Sequence, residues 1–201
     1  MRIYFKKFYG RFLICGALSV ILPFAAGCAQ RAAEPPVSTP ESTPPVVITP
    51  GFSPDDLDLT DLEQSISHAI FTYNADRYLK GECAAEGHIT LGKRTKKGLE
   101  VVYTIASYGE YDYQNGEFVQ VSGSGAIPTV LVFKKNGSHK LLEYKEPADG
   151  ARYAPTLKEL FPAGEIREKA LDPGQFEEEL TARKDRYVQA YLLSLNGGVT
   201  E

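Results

Sequence analysis

Leu99-Glu100-Val101-Val102-Tyr103-Thr104-Ile105-Ala106 is the stretch that decides the fold. Alternate positions carry Leu99, Val101, Tyr103 and Ile105, and the residues between them include further β-branched side chains. A period of two residues with this composition predicts a strand that is buried on one face and partly covered on the other.

Short turns on both sides of this strand predict an antiparallel meander. Lys96-Lys97-Gly98 precedes it and separates it from a strand near 87–91. Downstream, Asn115-Gly116 and Asn136-Gly137 each separate two further β-prone segments, 110–113 from 118–121 and 128–133 from 140–144. Asn-Gly favours the type I′ turn that matches strand twist, and strands joined by so short a turn pair as antiparallel neighbours.

Helices are predicted before and after the meander. A capping box at Thr60-Asp61-Leu62-Glu63 predicts a helix that runs to about Leu79. Asp172-Pro173 supplies an N-cap and a first-turn proline for a last helix that ends at Asn196-Gly197, and a short helical piece is expected over 156–161. The predicted fold class is α+β, an antiparallel meander of about five or six strands with an N-terminal and a C-terminal helix on one face.

The N-terminal segment has the composition of a lipoprotein signal peptide. Four basic residues within 2–11 precede an uncharged stretch over 12–26, which is shorter than the roughly 18 apolar residues expected of a membrane-spanning helix. It ends in Phe24-Ala25-Ala26-Gly27-Cys28, which is typical of a lipobox, although Ala25 stands where leucine is usual. The sequence predicts that 1–27 is removed and that Cys28 carries lipid; the alternative is an ordinary secretory signal.

The segment from 28 to 52 predicts a lipid-anchored, disordered spacer. Proline, serine and threonine dominate it, and its first aromatic residue is Phe52. Such composition cannot bury enough apolar surface to offset the entropy of ordering and favours extended conformations. A single α+β domain is therefore expected over 53–201.

Charge restricts the partners of the processed chain. Removing the signal peptide lowers Lys+Arg from 22 to 18 against 26 Asp+Glu, a formal net charge of −8. An acidic chain is not expected to bind nucleic acid or to be attracted to anionic lipid. We therefore expect attachment to the outer face of the cell membrane through the acyl chains on Cys28, because two chains suffice for a stable anchor.

Cysteine usage predicts no disulfide in the processed chain. Cys15 leaves with the signal peptide and Cys28 is expected to carry lipid, so Cys83 has no partner. Because small residues surround it at the start of a strand, Cys83 is expected to be buried as a small apolar side chain.

Catalytic motifs are sparse. There is no His-Glu-x-x-His, and His68 and His139 are expected at the surface. Glu86 and His88 lie two apart on a predicted strand and share a face, so they could share a proton or a metal ion; the alternative is a surface charge pair. Two ligands are too few for a zinc site, and no cofactor is predicted. The Gly-rich run 122–125 precedes a strand, whereas a phosphate loop precedes a helix.

Tyrosines and carboxylates concentrate at Tyr108-Gly109-Glu110-Tyr111-Asp112-Tyr113. Tyrosine combines a large contact area with a polar tip, which suits recognition of a peptide or glycan. The alternative is that most of these rings pack in the core. The candidate ligand-binding residues are Tyr108, Glu110, Tyr111, Asp149 and Tyr153.

The order of residues over about 60–193 resembles an extracytoplasmic domain fused to integral-membrane metallopeptidases of the beta-lactam-sensing antirepressor type in Gram-positive bacteria, and found also in small lipoproteins. The positions that carry this resemblance are His88, Tyr108 to Tyr111, Phe118, Ser122-Gly123, Ile127-Pro128, Phe133, Leu142 to Tyr144, Pro147, Asp149-Gly150, Tyr153 and Phe161-Pro162.

The resemblance implies a sensory or accessory role. It implies no protease activity, because the zinc motif of those metallopeptidases does not occur in this sequence. We expect a membrane-anchored binding or sensory domain without catalytic activity, with a peptide, glycan or membrane protein as partner. The alternatives are a cell-envelope enzyme that uses Glu86 and His88, and a structural or immunity-type partner protein.

Overall fold

The computed structural model describes residues 52–196 of the chain. The predicted signal peptide, Cys28 and the spacer up to residue 51 lie outside this range. Phe52, assigned to the spacer from the sequence, packs on the core, with its ring centroid 5.9 Å from that of Phe71 and 5.1 Å from that of Tyr187.

Five strands and four α-helices make up the described residues and confirm the α+β class. In chain order the elements are α1 (Leu62–Asn74), β1 (Cys83–Lys96), β2 (Leu99–Gln114), β3 (Glu117–Gly123), β4 (Ile127–Lys135), β5 (His139–Lys145), α2 (Tyr153–Leu160), α3 (Glu165–Leu171) and α4 (Glu177–Leu195). Single 3₁₀ turns span Pro54–Asp56, Gly150–Arg152 and Pro173–Phe176.

The strand identified from Leu99 to Ala106 is the first half of β2, the centre of the sheet. The sheet order is β1-β2-β4-β5, with β3 also paired to β2, and every pairing is antiparallel. At the β2–β3 turn both Asn115 and Gly116 have positive φ, as a type I′ turn requires. At the β4–β5 turn only Gly137 does, so the hairpin was predicted correctly but that turn is of another type.

The predicted N-terminal and C-terminal helices, α1 and α4, share one core, as predicted, but α2 and α3 cover the other face of the sheet, so the prediction of a single covered face was incomplete. Alternate residues of β2 enter two different cores: Val102 and Ala106 pack in a core with α1 and α4, whereas Tyr103 and Ile105 pack in a core with α2 and α3. Both faces are covered because β2 carries apolar side chains at its odd-numbered and at its even-numbered positions. The strand therefore has two apolar faces to bury.

Three helix boundaries differ from the sequence prediction. Asp61, not Thr60, caps α1 by accepting from the Gln64 amide at 2.9 Å, and α1 ends at Asn74 rather than near Leu79. The residues after Asp172 form a 3₁₀ turn, and α4 begins only at Glu177. The short helix before Pro162 is present as α2, whereas α3 was not predicted.

The helix α4 crosses the edge strand β1 at close range. A Cβ atom on Gly87 would lie 2.5 Å from the carbonyl oxygen of Leu180, so only glycine fits at this crossing. The Arg183 guanidinium donates a hydrogen bond to the carbonyl oxygen of His88. The crossing thereby fixes the segment of β1 that carries Glu86 and His88.

Within residues 52–196, no helix is both long enough and apolar enough to cross a membrane.

Candidate functional site

Glu86 and His88 share a face of β1 as predicted, but they are buried and belong to a larger group. The His88 Nδ1 lies 3.1 Å from Glu86 Oε2, and its Nε2 lies 2.9 Å from Oε2 of Glu63 on α1. The Tyr187 hydroxyl on α4 donates to Glu86 Oε1 at 3.0 Å. We call Glu63, Glu86, His88 and Tyr187 the His88 cluster. Its burial excludes the surface charge pair considered from the sequence.

The charges in the His88 cluster stabilise one another. Burial acts to lower the pKa of His88, but the charge of Glu86 and the hydrogen bond to Glu63 outweigh it and raise that pKa to about 9. Burial acts to raise the pKa of both carboxyls, and the charge and hydrogen bonds of His88 hold them below their usual values. The cluster is therefore an imidazolium between two carboxylates at neutral pH.

This geometry does not suit a metal ion or a proton acceptor. Both imidazole nitrogens face carboxylates, so neither offers a lone pair to a ligand while the ring is charged. Among residues 52–196, no group of three or more His, Cys, Asp or Glu residues is arranged to hold a metal ion. The cluster instead joins α1, β1 and α4.

The predicted ligand residues on β2 are buried. The exposed fractions of Tyr108, Glu110 and Tyr111 are 1%, 2% and 6%. Burial raises the pKa of Tyr111 to about 12, and its hydroxyl donates to Gln120 Oε1 at 3.2 Å. These side chains belong to the core, which was the alternative considered from the sequence, and they do not form the exposed surface that the composition suggested.

Internal partners account for the carboxylate of Glu110. It accepts hydrogen bonds from the Tyr108 hydroxyl and, at 3.1 Å, from the Gly81 amide. Lys80 Nζ lies 3.6 Å from Glu110 Oε1. Glu110 therefore holds the segment before β1 against β2, a role that needs no ligand.

His139 was expected at the surface and is buried. Its Nε2 lies 3.1 Å from Oε2 of Glu100, which is also buried, and its amide donates to the Leu59 carbonyl at 2.7 Å. The sequence did not indicate this pair because Glu100 lies on β2, 39 positions before His139. The strands β2 and β5 come close only because both pair with β4.

Cys83 is buried, as predicted. Burial raises the pKa of its thiol to about 11, and the negative charges of Glu110, Glu82 and Asp112 add to the effect. The thiol therefore stays protonated and unreactive at neutral pH. It lines a cavity of about 200 Å³ beside Phe52 and Tyr187.

Asp149 is the predicted site residue that lies on an open cavity. A cavity of about 460 Å³ opens where the chain leaves β5 and enters α2, and we call it the Tyr144 pocket. Its lining residues are Tyr73, Tyr144, Lys145, Glu146, Pro147, Ala148, Asp149, Thr156, Glu159 and Leu160. Tyr153 is the first residue of α2 and packs towards the second core instead.

Stacked aromatic rings form one wall of the Tyr144 pocket. The rings of Tyr73 on α1 and Tyr144 on β5 lie 3.7 Å apart at 12°. The Arg77 guanidinium lies 3.8 Å from the centre of the Tyr73 ring. Since Tyr144 and Arg77 both contact the Tyr73 ring at stacking distance, they pack on its opposite faces.

A hydrogen bond links the loop 146–149, which also lines the pocket, to α2. Thr156 Oγ1 accepts from the Ala148 amide at 2.9 Å and donates to the Arg152 carbonyl at 2.7 Å. Gly150 has a φ of +65°, which lets the chain turn directly after Asp149 into α2. Ala148 of the loop 146–149 is therefore bonded to the first turn of α2.

Sequence reasoning missed most of the Tyr144 pocket. Tyr73 lies within the predicted first helix, and Tyr144 ends a predicted strand. Pro147-Ala148-Asp149-Gly150 has the composition of a turn, and Asp149 is one of the candidate ligand-binding residues. Nothing in local spacing connects that turn to Tyr73, 74 positions before Pro147.

Comparisons with protein-family models, with curated proteins and with solved structures found no match to this chain. Its function has therefore to be inferred from its own geometry.

Proposed function

We propose that this chain is a binding or sensory module without catalytic activity, held at the outer face of the cell membrane by lipid on Cys28, and that its ligand site is the Tyr144 pocket. The observation that carries the proposal is the pocket itself, a cavity of about 460 Å³ with an aromatic wall and a hydrogen-bonded acidic loop. Cavities of roughly 300–1,000 Å³ with apolar walls and a few placed polar groups are typical small-molecule sites.

Two further observations support this proposal over the enzyme alternative. The residues that an enzyme was expected to use, Glu86 and His88, neutralise each other in a buried cluster. In contrast, Asp149 is exposed on the rim of a cavity. The resemblance points the same way, since Tyr144, Pro147 and Asp149 are among the positions that carry it.

A thermal-shift screen on the processed chain, residues 28–201 with Cys28→Ser, tests the proposal. The screen covers peptides, cell-wall glycans, amines and beta-lactams. A ligand of the folded state should raise the stability by about 2.7 kcal/mol at a hundred times its Kd.

Matched variants then locate the site. Asp149→Asn should weaken the shift, whereas Glu168→Gln should preserve it. Glu168 is an exposed carboxylate on α3 that does not line the pocket. A ligand that stabilises both variants equally would place the site elsewhere on the domain.

A further inference from the structure

We infer that the Tyr144 pocket takes an organic cation, an ammonium or guanidinium group on a flexible apolar arm, such as a lysine or arginine side chain presents. This inference rests on the proposed function, because it names the chemical class of ligand for the same pocket.

The charged groups of the pocket are mostly acidic. Glu146, Asp149 and Glu159 line it, and the only basic residue in its lining is Lys145. Lys145 Nζ lies 2.5 Å from Oε2 of Glu143, which lies outside the lining, so the lysine charge is already paired. Of the three carboxylates, Glu146 already has the Tyr73 hydroxyl and Arg77 beside it, whereas Asp149 and Glu159 are exposed at the pocket and are the ones that a ligand can reach.

The half-buried carboxyl of Glu146 shows the effect of this arrangement. Burial raises the pKa of Glu146 and the charge of Asp149 adds to the rise, whereas the nearby Arg77 and a hydrogen bond from the Tyr73 hydroxyl oppose it. Arg77 is also the guanidinium that stacks on Tyr73, so its charge is shared between a ring and a carboxyl. A second cation inside the pocket would relieve the repulsion between Glu146 and Asp149.

The apolar part of the lining matches the arm of such a ligand. Pro147, Ala148, Leu160 and the Tyr144 ring line the pocket together with the acidic residues. Lysine and arginine side chains characteristically bury their methylene stems on apolar surface while the charged end reaches polar partners. An anionic or purely apolar ligand would leave the carboxylates desolvated and unpaired.

The hydrogen-bonded loop favours binding without a large ordering cost. The Thr156 hydroxyl binds the Ala148 amide, and the Tyr73 ring packs between Tyr144 and Arg77, so these lining residues have internal contacts that do not depend on a ligand. Preorganised walls of this kind convert more of the contact energy into affinity.

Titration of small probes, followed by amide NMR shifts, tests the inference on the processed chain with Cys28→Ser. The probes are acetyl-Gly-Lys-Gly-amide, the arginine equivalent, the norleucine equivalent, the glutamate equivalent and free cadaverine. The lysine and arginine peptides should shift the amides of Asp149 and Gly150 and bind at least about tenfold more tightly than norleucine, which has the arm without the charge. Their affinity should also fall with added salt.

Cadaverine distinguishes the source of the cation. Binding of cadaverine as tight as that of the lysine peptide would identify a free amine as the ligand, whereas tighter binding of the peptide would identify a basic peptide segment. Both outcomes support the inference that the pocket binds a cationic group.

Variants distinguish binding of the lysine peptide in the Tyr144 pocket from nonspecific attraction of a cationic peptide to an acidic protein. Asp149→Asn with Glu159→Gln should weaken lysine-peptide binding about tenfold or more, and Glu168→Gln should leave it unchanged. The three substituted carboxylates are all exposed, and dispersed amide spectra verify folding. An equal loss in the Glu168→Gln control would overturn the inference.

The failure of the inference is distinguishable from the failure of the proposed function. The norleucine or glutamate peptide could shift the amides of Asp149 and Gly150 as much as the lysine peptide does. That result would overturn the inference of a cationic ligand but would still support the Tyr144 pocket as the ligand site. Absence of shifts there with every probe, together with a screening hit that binds elsewhere, would overturn both.

Discussion

At the scale of single residues, the strongest electrostatic feature is the imidazolium of His88 between Glu63 and Glu86. Replacing Glu86 by Gln keeps the shape and removes one charge of a buried ion pair. We expect the free energy of unfolding to fall by about 3 kcal/mol at pH 6, the lower end for a broken buried pair, because Glu63 still faces the ring. The exposed pair Glu165–Lys169 supplies the control, and Glu165→Gln should have no measurable effect.

The loss should depend on pH in a defined direction. His88 has a folded pKa of about 9, above its ordinary 6.5, so its contribution to stability is complete below pH 6.5 and is lost as the pH rises through 9. The Glu86→Gln loss should therefore shrink between pH 6 and pH 9 in urea titrations. Cys83, with a raised pKa of about 11, titrates above this window. A loss that is small at pH 6, or equal at both pH values, would contradict the ion-paired cluster.

The same residues show where sequence reasoning stops. The shared face of Glu86 and His88 follows from the two-residue period of a strand, and the sequence therefore predicted their proximity. Glu63 and Tyr187 lie on helices 25 positions before and 99 positions after His88, and no local pattern brings them to it. Composition likewise did not show whether Tyr108 and Tyr111 are buried, because tyrosine is common both in cores and on binding surfaces.

At the scale of elements, the position of α4 depends on Gly87. Alanine at this position would place a Cβ atom 2.5 Å from a backbone oxygen of α4. The backbone of a helix cannot move aside to relieve such a contact, whereas the end of a flexible side chain could. We expect Gly87→Ala to destabilise the domain by about 1–3 kcal/mol, as overpacking does. Gly125→Ala is the matched control: no atom lies within 4 Å of its added Cβ, and its stability should change by less than about 1 kcal/mol in the same urea titration. Equal effects would mean that α4 packs less closely on β1.

The elements divide into those that local signals specify and those that tertiary contacts specify. The strand β2, the Asn-Gly hairpins and α1 carry their periods and turns in adjacent residues, and they were predicted. In contrast, α3 is seven residues long and lacks a side-chain N-cap bond, so its sequence alone gives a weak signal. The end of α1 was misplaced because the residues after Asn74 remain compatible with a helix, and a 3.0 Å bond from the Arg77 amide to the Asn74 carbonyl turns the chain instead.

At the scale of the whole molecule, the sheet is covered on both faces. The Tyr144 pocket lies where α1, the end of β5 and α2 meet. The pocket was out of reach of sequence analysis because it needs the fold to join residues from three elements. Only the loop residue Asp149 carried a local signal, which is typical of binding residues placed on loops by a rigid scaffold.

Attachment of the whole molecule to the membrane is expected to depend on Cys28. A net charge of −8 after processing disfavours electrostatic binding to anionic lipid, so the acyl chains would be the attachment. Cys28→Ser should therefore move the protein from the membrane fraction to the soluble fraction or the medium. Cys83→Ser is the matched control and should stay with the membrane, because a buried, protonated thiol carries no lipid. Fractionation with a high-salt wash, followed by mass spectrometry of the N-terminal peptide, measures both; membrane retention of Cys28→Ser would show that something other than acyl chains on Cys28 holds the protein there.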